Sequence, residues 1–479
     1  MTNSIIHSYE EFRSDVLEKK DVYKVKFSIN GVHPSMSNAI RRVLLGRLPI
    51  VAFDDTYMDN PEDNKIKIRK NVSALHNEFI AHRLSLLPIC MYNNTSLKVL
   101  IDYDFDEGDF KFGFASSDTV PIFNLTIKND ENTRKLRGAN SDNSINITSE
   151  FITIENEKEY NPVHEFFIRD YVTGDYVLLH RLKPISSNEE VQEAEELEII
   201  LKPDINVGRI HARYCPVGTV SYEFQKDSQE VQDKYFENYI ESLQKQRAVD
   251  KLELFNDKDI ATFRGSFNVM GSERIYKKNS MNEPETVNMT VETVGNLEAH
   301  QLVYDSLDMI RLKTLILMNH FEWDEKTQKY NYSPKKIQIQ KNKQSGYIEI
   351  TVYNEDHTLG NLIGSYLKKM FITDKILGDM LNFASYKMPH PLEEKIVVII
   401  GFKDGVDFSG LFSKLGYKSG SNEINRAIQC LFIACSGYLK EIATMKKEWT
   451  KFTQIVETSY VVDSQELLTQ SYYDKSSMI

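Results

Sequence analysis

Two stretches of the chain alternate apolar and polar positions with period two, then change to a helical period. In the first, Val25, Phe27 and Ile29 alternate with Lys26 and Ser28, and residues 31–45 (GVHPSMSNAIRRVLL) follow. In the second, Ile348, Ile350 and Val352 alternate with Glu349 and Thr351, and residues 354–367 (NEDHTLGNLIGSYL) follow. At 3.6 residues per turn Met36, Ala39, Ile40, Val43 and Leu44 share one helix face, as do Leu359, Leu362, Ile363, Tyr366, Leu367 and Met370. Each unit predicts a strand, a polar turn with a histidine (His33, His357) and an amphipathic helix with an early asparagine (Asn38, Asn361). One module therefore occurs twice, far apart in the chain.

Two longer seams step by four and three. Val303, Leu307, Ile310, Thr314, Leu317 and Phe321 form one, and Ile424, Ile428, Leu431, Cys435, Tyr438, Ile442, Met445, Trp449 and Phe452 the other. Such seams want a partner helix at a shallow angle, and each is the obvious partner of the other. Residues 49–53 (PIVAF) read as a short apolar strand. From 56 to 204 helical periodicity is scarce, and short strand-like runs alternate with Asn/Asp/Ser/Gly clusters, as expected of an inserted β-rich domain. The acidic run 189–198 reads as a solvated helix or loop. The expected fold class is α+β: a discontinuous first module at 1–55 and 205–325, the insertion at 56–204, a linker at 326–345, a second module at 346–455 and a mobile tail at 456–479.

Composition narrows the function classes. A chain of 479 residues holds two or three domains, and 41% hydrophobic with 27% charged residues is ordinary for a soluble protein. With 58 basic and 70 acidic residues the net charge is −12, which argues against a chain that grips nucleic acid by itself. Four cysteines without a C-x-x-C pair suit a reducing compartment rather than a disulfide framework. The first residues, MTNSIIHSYEE, lack the cationic start and apolar core of a signal peptide, and no apolar run approaches membrane-spanning length.

Candidate chemistry is sparse. Asp102, Asp104 and Asp106 imitate the triplet of a polymerase metal centre, but alternation with Tyr103 and Phe105 fits a half-buried strand with a solvated acidic side. Glu107 and Gly113 fill the sixth and twelfth positions, which excludes a calcium loop. His76, Glu78 and His82 match no zinc spacing and fit helix capping or an interface. Lys65, Lys67 and Arg69 form a basic strand face. No phosphate loop or nucleophile motif appears, so no catalytic residue and no metal site are assigned.

Residues 38–45 (NAIRRVLL), 71–89 (NVSALHNEFIAHRLSLLPI), 214–222 (YCPVGTVSY) and 291–297 (VETVGNL) resemble the larger alpha-like subunit of multisubunit DNA-directed RNA polymerases, the archaeal D type and its third-largest eukaryotic counterpart. Residues 354–363 and 384–396 (ASYKMPHPLEEKI) resemble the smaller alpha-like subunit, the archaeal L type. These blocks cover about half the chain, in the family's order.

The resemblance implies two subunits fused in one polypeptide, a habit of large DNA viruses of eukaryotes, and an intramolecular pseudo-dimer rather than a homo-oligomer. Its implied role is the non-catalytic platform on which the two largest subunits assemble, with small polymerase subunits also bound. DNA and RNA are met only through the complex, and the magnesium for nucleotidyl transfer is carried by another subunit. The implied location is host cytoplasm or nucleus, or the virion, without secretion.

The site residues follow from the same resemblance. Asn38, Arg41, Arg42 and Leu45 form the large-subunit docking side, two guanidiniums beside an apolar residue. The pairing interface takes Val303, Leu307, Ile310 and Leu317 against Leu359, Leu362, Ile363, Tyr366, Ile428, Leu431, Tyr438 and Ile442. The motif's polar residues are Glu78, His82, Arg83, Asp356, His357 and Asn361. Asp356 or Thr358 is expected to cap the second module's helix. Gly360 and Gly364 leave a smooth strip for another backbone, and the second module has no arginine pair. Two rival classes stay open: a DNA-binding transcription factor on alpha-like folds, and an independent enzyme using Asp102, Asp104 and Asp106.

Overall fold

The computed structural model describes residues 4–463 apart from 18–20, 59, 93, 117–119, 156–161, 185–193, 280–281, 374–376 and most of 407–421. The chain opens with a hairpin, Ile6–Arg13 against Val22–Asn30, and enters helix α1, Pro34–Gly46. Pro34 supplies a φ suited to the first turn, and His33 caps it by accepting from the Ser35 amide. The strand Pro49–Phe53 leaves α1 fully buried.

The segment that follows is rich in strands. A four-stranded sheet runs Ile66–Asn71, Glu196–Leu201, Phe123–Lys128, Thr153–Ile154, and the hairpin Val99–Asp104 with Asp109–Phe114 lies apart from it. Helices α2 (Asn77–Ser85) and α3 (Glu131–Arg137) interrupt the strands. The strand Pro203–Val207 pairs with Pro49–Phe53 and returns the chain to the first module. Part of the acidic run, Glu196 to Glu198, is in a strand rather than a solvated helix or loop, because Leu197, Ile199 and Leu201 alternate into the core.

Val217–Phe224 and Thr286–Thr293 complete the first module's sheet, whose order is Ile6–Arg13, Val22–Asn30, Thr286–Thr293, Val217–Phe224. Between them stand two helices that no apolar period announces, α4 (Gln229–Val249) and α5 (Asp257–Ser266). They are polar because few of their residues are buried, among them Phe236 and Ile240. Helix α6, Ala299–Asn319, then runs through the centre of the molecule, buried at every position from 299 to 318 except Arg311. Phe321 lies beyond its end, on the strand Phe321–Asp324.

Residues 326–345 are not a bare linker. Lys329–Tyr332 pairs with Phe321–Asp324, and Ile337–Lys341 is the first strand of the second sheet, with Ile337 fully buried. That sheet runs Ile337–Lys341, Ile348–Tyr353, Lys395–Phe402, Leu381–Lys387, with helix α7 (His357–Lys368) after its second strand and α8 (Glu423–Thr453) after its fourth. The first sheet has the same plan: hairpin, short helix, two more strands, long helix, with the fourth strand placed between the second and third. The repeat seen in sequence is thus a repeat of topology. Of the tail at 456–479, expected to be mobile, residues 456–463 instead run back over α6 and end in the strand Tyr460–Val462, parallel to Val99–Asp104, and the rest lies outside the described residues.

Candidate subunit interface

The two modules meet through four helices, α1 and α6 of the first against α7 and α8 of the second. The apolar contact begins where Val43 and Ile310 face Leu359 and Leu362 across a cavity of about 10 Å³. Val303, Leu307 and Leu317 on α6, Ile363 and Tyr366 on α7, and Ile428, Leu431, Tyr438 and Ile442 on α8 are all buried. The Tyr438 hydroxyl accepts from Thr314 Oγ1 at 3.1 Å, joining the two long seams directly. At the far end of α8, Trp449 is fully buried. Its ring meets Phe27 and Tyr9 edge-on with centroids 4.8 and 5.3 Å away, and its Nε1 donates to the His300 carbonyl at 3.0 Å.

A ring of ion pairs surrounds this contact. Asp356 caps α7 by accepting from the Thr358 amide at 2.8 Å, so the cap is Asp356 and not Thr358. The same carboxylate takes Arg47 Nη2 at 2.6 Å and Arg42 Nη2 at 3.2 Å, and Arg42 Nε donates to Thr358 Oγ1 at 2.8 Å. Burial alone would raise the pKa of Asp356, but Arg47 and Lys313 hold it well below the usual carboxylate range. Lys313 reaches Glu355 at 2.8 Å, with Lys336 behind it at 3.7 Å. Asp308 of α6 bonds Lys446 of α8.

Arg42 therefore does not join Arg41 in a free pair. It faces the second module, because position 42 lies beside Arg47 on the flank of α1 that meets the start of α7. Arg41 bonds Asn38 Oδ1 within its own helix (3.0 Å from Nη2), and Leu45 is 37% exposed, so Asn38, Arg41 and Leu45 form the outward side of α1. The strip left by Gly360 and Gly364 is filled from within its own module: at Gly364 the Ser385–Tyr386 backbone approaches as expected, and at Gly360 the Tyr386 ring takes the space. A Cβ on Gly360 would stand 2.5 Å from the Tyr386 ring. His357 Nδ1 lies 3.2 Å from the Tyr386 hydroxyl, and Asn361 accepts from Ser365.

The inserted segment also touches the second module. Lys336 Nζ and Asn354 Nδ2 both donate to the Gly108 carbonyl at 3.3 Å, at the tip of the 99–114 hairpin. Nearby, the Tyr103 hydroxyl and His320 Nε2 are 2.9 Å apart. Burial, aided by Lys336, pushes His320 down to about 4, although Glu355 acts the other way. A histidine held neutral in the fold stabilises above its ordinary value of 6.5, and that contribution is lost as pH falls toward 4. Asp305, fully buried and pushed up to about 7 by desolvation, has the opposite dependence. Comparing denaturation of the natural chain and His320→Gln from pH 7 to 4 isolates the histidine: the variant should lose less stability on acidification.

Elsewhere the motif residues face outward. His76 occupies the cap position of α2 without a side-chain cap bond; Glu78 and His82 are exposed, and Arg83 donates to the Leu178 carbonyl. Asp104 accepts the amides of Asp106 and Glu107 and the ammonium of Lys111, closing a turn at Asp106. Sequence reasoning missed Arg47, Asp308, Lys313, Glu355 and Lys446. The available signal was the charge itself: Asp305, Asp308 and Lys313 stand in a helix whose apolar residues leave little room for an exposed face.

The family model for the RNA polymerase Rpb3/Rpb11 dimerisation domain matches residues 26–314, and a second model with the same description matches residues 347–415. The chain belongs to that family. It is an alpha-like subunit of DNA-directed RNA polymerase, homologous to non-catalytic subunits. It is 24% identical over 329 residues, 64% of its own length and 90% of the relative's, to subunit 3 of DNA-directed RNA polymerases II, IV and V of Arabidopsis thaliana. It is 24% identical to subunit RPAC1 of human RNA polymerases I and III, over 46% of this chain and 56% of that one. Subunit Rpo3 of Pyrococcus furiosus is 40% identical over 74 residues, 15% of this chain and 24% of the archaeal one. Both locations of the family domain coincide with the repeated topology. Among the described residues, no helix of this alpha-like subunit is long and apolar enough to cross a membrane.

Proposed function

We propose that this alpha-like subunit carries both members of the polymerase's alpha-like pair in one chain, closed on each other as a pseudo-dimer, and that it is the platform on which the two largest subunits assemble. The observation that carries the reading is the ion pair of Arg42 and Arg47, on the first family domain, with Asp356, which caps the equivalent helix of the second. A covalent tether makes this pairing intramolecular and removes the entropy cost of bringing two chains together. The fusion matches the habit of large DNA viruses, and small polymerase subunits complete the assembly. No metal or cofactor is assigned to the chain; nucleic acid is met through the complex.

The docking half is the outward side of α1, Asn38, Arg41 and Leu45, with Arg42 reassigned to the pairing. Arg41→Glu should leave the isolated chain monomeric and equally stable, because among the described residues its guanidinium bonds Asn38, one turn away on the same helix. In affinity capture of the tagged chain from its own transcribing cells it should recover markedly less of the second-largest subunit. Undiminished recovery would remove Arg41 from the docking surface. Tight, salt-sensitive DNA binding by the purified chain would favour the transcription-factor reading, and metal-dependent turnover without partners would favour an enzyme.

A further inference from the structure

Helix α6 has a second face that the apolar seam does not explain. Gln301, Tyr304, Asp305 and Asp308 follow one another at i, i+3, i+4 and i+7, a polar stripe on a buried helix. Every one of them is bonded to the segment that follows α8. Gln454, in the left-handed conformation (φ 62°), ends α8 and turns the chain back. Gln301 Nε2 then donates to the Glu457 carbonyl at 3.0 Å, and the Tyr304 hydroxyl to the Val456 carbonyl at 2.8 Å. Asp305 accepts from the amide of Ser459 at 3.1 Å and from its hydroxyl. The Tyr460 hydroxyl donates to Asp308 Oδ2 at 3.1 Å, and its ring is 5% exposed. Beyond this point Tyr460, Val461 and Val462 pair in parallel with Val99, Leu100 and Ile101, and the Asp463 amide donates to the Ile101 carbonyl at 3.0 Å.

We propose that this stripe and the free edge of Val99–Asp104 form a peptide-binding site whose ligand is the chain's own 455–463 segment, a detachable strap that locks the inserted domain onto the paired helices. The chemistry is that of strand addition: main-chain bonds give affinity, and one buried side chain, Tyr460, gives register. A polar stripe inside a core is costly unless each member is satisfied, and the strap supplies a partner to each of the four. The 99–114 hairpin is then gripped by the second module at both ends, by the strap along its edge and by Lys336 and Asn354 at its tip.

The test is amide hydrogen exchange on the full-length chain with Tyr460→Ala, and with Tyr460→Phe as the milder change. In the alanine variant, exchange in 99–104 and 455–463 should rise about tenfold or more while α1 and α7 keep their protection, since local opening is independent of the global core. A synthetic peptide of residues 455–463 added in trans should restore protection of 99–104. The proposal is overturned if 455–463 loosens and 99–104 does not, if neither loosens, if α1 and α7 lose protection together with the strap, or if the peptide restores nothing.

Discussion

Trp449→Ala should lower the stability of the chain by about 4 kcal/mol, the usual cost of emptying a fully buried aromatic site. Trp449 is the anchor that α8 inserts into the first module, between the rings of Phe27 and Tyr9 and beneath the His300 carbonyl. The rings it meets belong to strands 6–13 and 22–30 of the first sheet, so the anchor spans the two modules. Removal of the indole also leaves the His300 carbonyl without the donor it has now. Burial pushes the imidazole of His300 down to about 4, so it is neutral at neutral pH. Denaturant unfolding followed by tyrosine and tryptophan fluorescence measures the loss. Trp449→Phe should recover roughly half of it, since the ring contacts return and the bond to the carbonyl does not.

The second large effect is Asp356→Ala, expected to cost about 3 kcal/mol or more, as for removal of one partner from a buried charge cluster. Asp356 is 9% exposed and serves three donors at once: the Thr358 amide and the guanidiniums of Arg42 and Arg47. Without it α7 loses its cap, and the guanidiniums of Arg42 and Arg47, both from the first module, are left together at the module contact without their carboxylate. Asp356→Asn keeps the cap but not the charge and should fall between. Because the folded carboxyl is held below its ordinary value of 3.8, its contribution is present at neutral pH and is lost only as pH falls below that value. Acid titration of the natural chain and of Asp356→Asn should therefore converge at low pH.

Much of this architecture is legible in the chain. The alternation at 25–29 and 348–352, the apolar faces of 36–44 and 359–370 and the steps of four and three along 424–452 correspond to the observed strands and helices, because each carries apolar residues at the period of its element. Residues 229–266 were not legible as helices: the first of the two buries only three residues and the second none, so neither carries the apolar stripe that marks a helix. The 455–463 strap was hidden for a different reason. Its affinity lies in main-chain bonds and in one tyrosine, and three strand residues make no period. Arg42 was misplaced because helical spacing says which residues lie off the apolar face, not which of them a neighbouring module then covers. The partner's signal was present, an aspartate at the start of α7, but it reads equally well as a cap, and it is both.

If one chain supplies the whole alpha-like pair of its polymerase, native mass spectrometry of the polymerase purified through this subunit should find a single copy of the chain together with the two largest subunits and no second alpha-like polypeptide. Two copies of the chain in one assembly, or a separate small alpha-like partner seated on it, would contradict it.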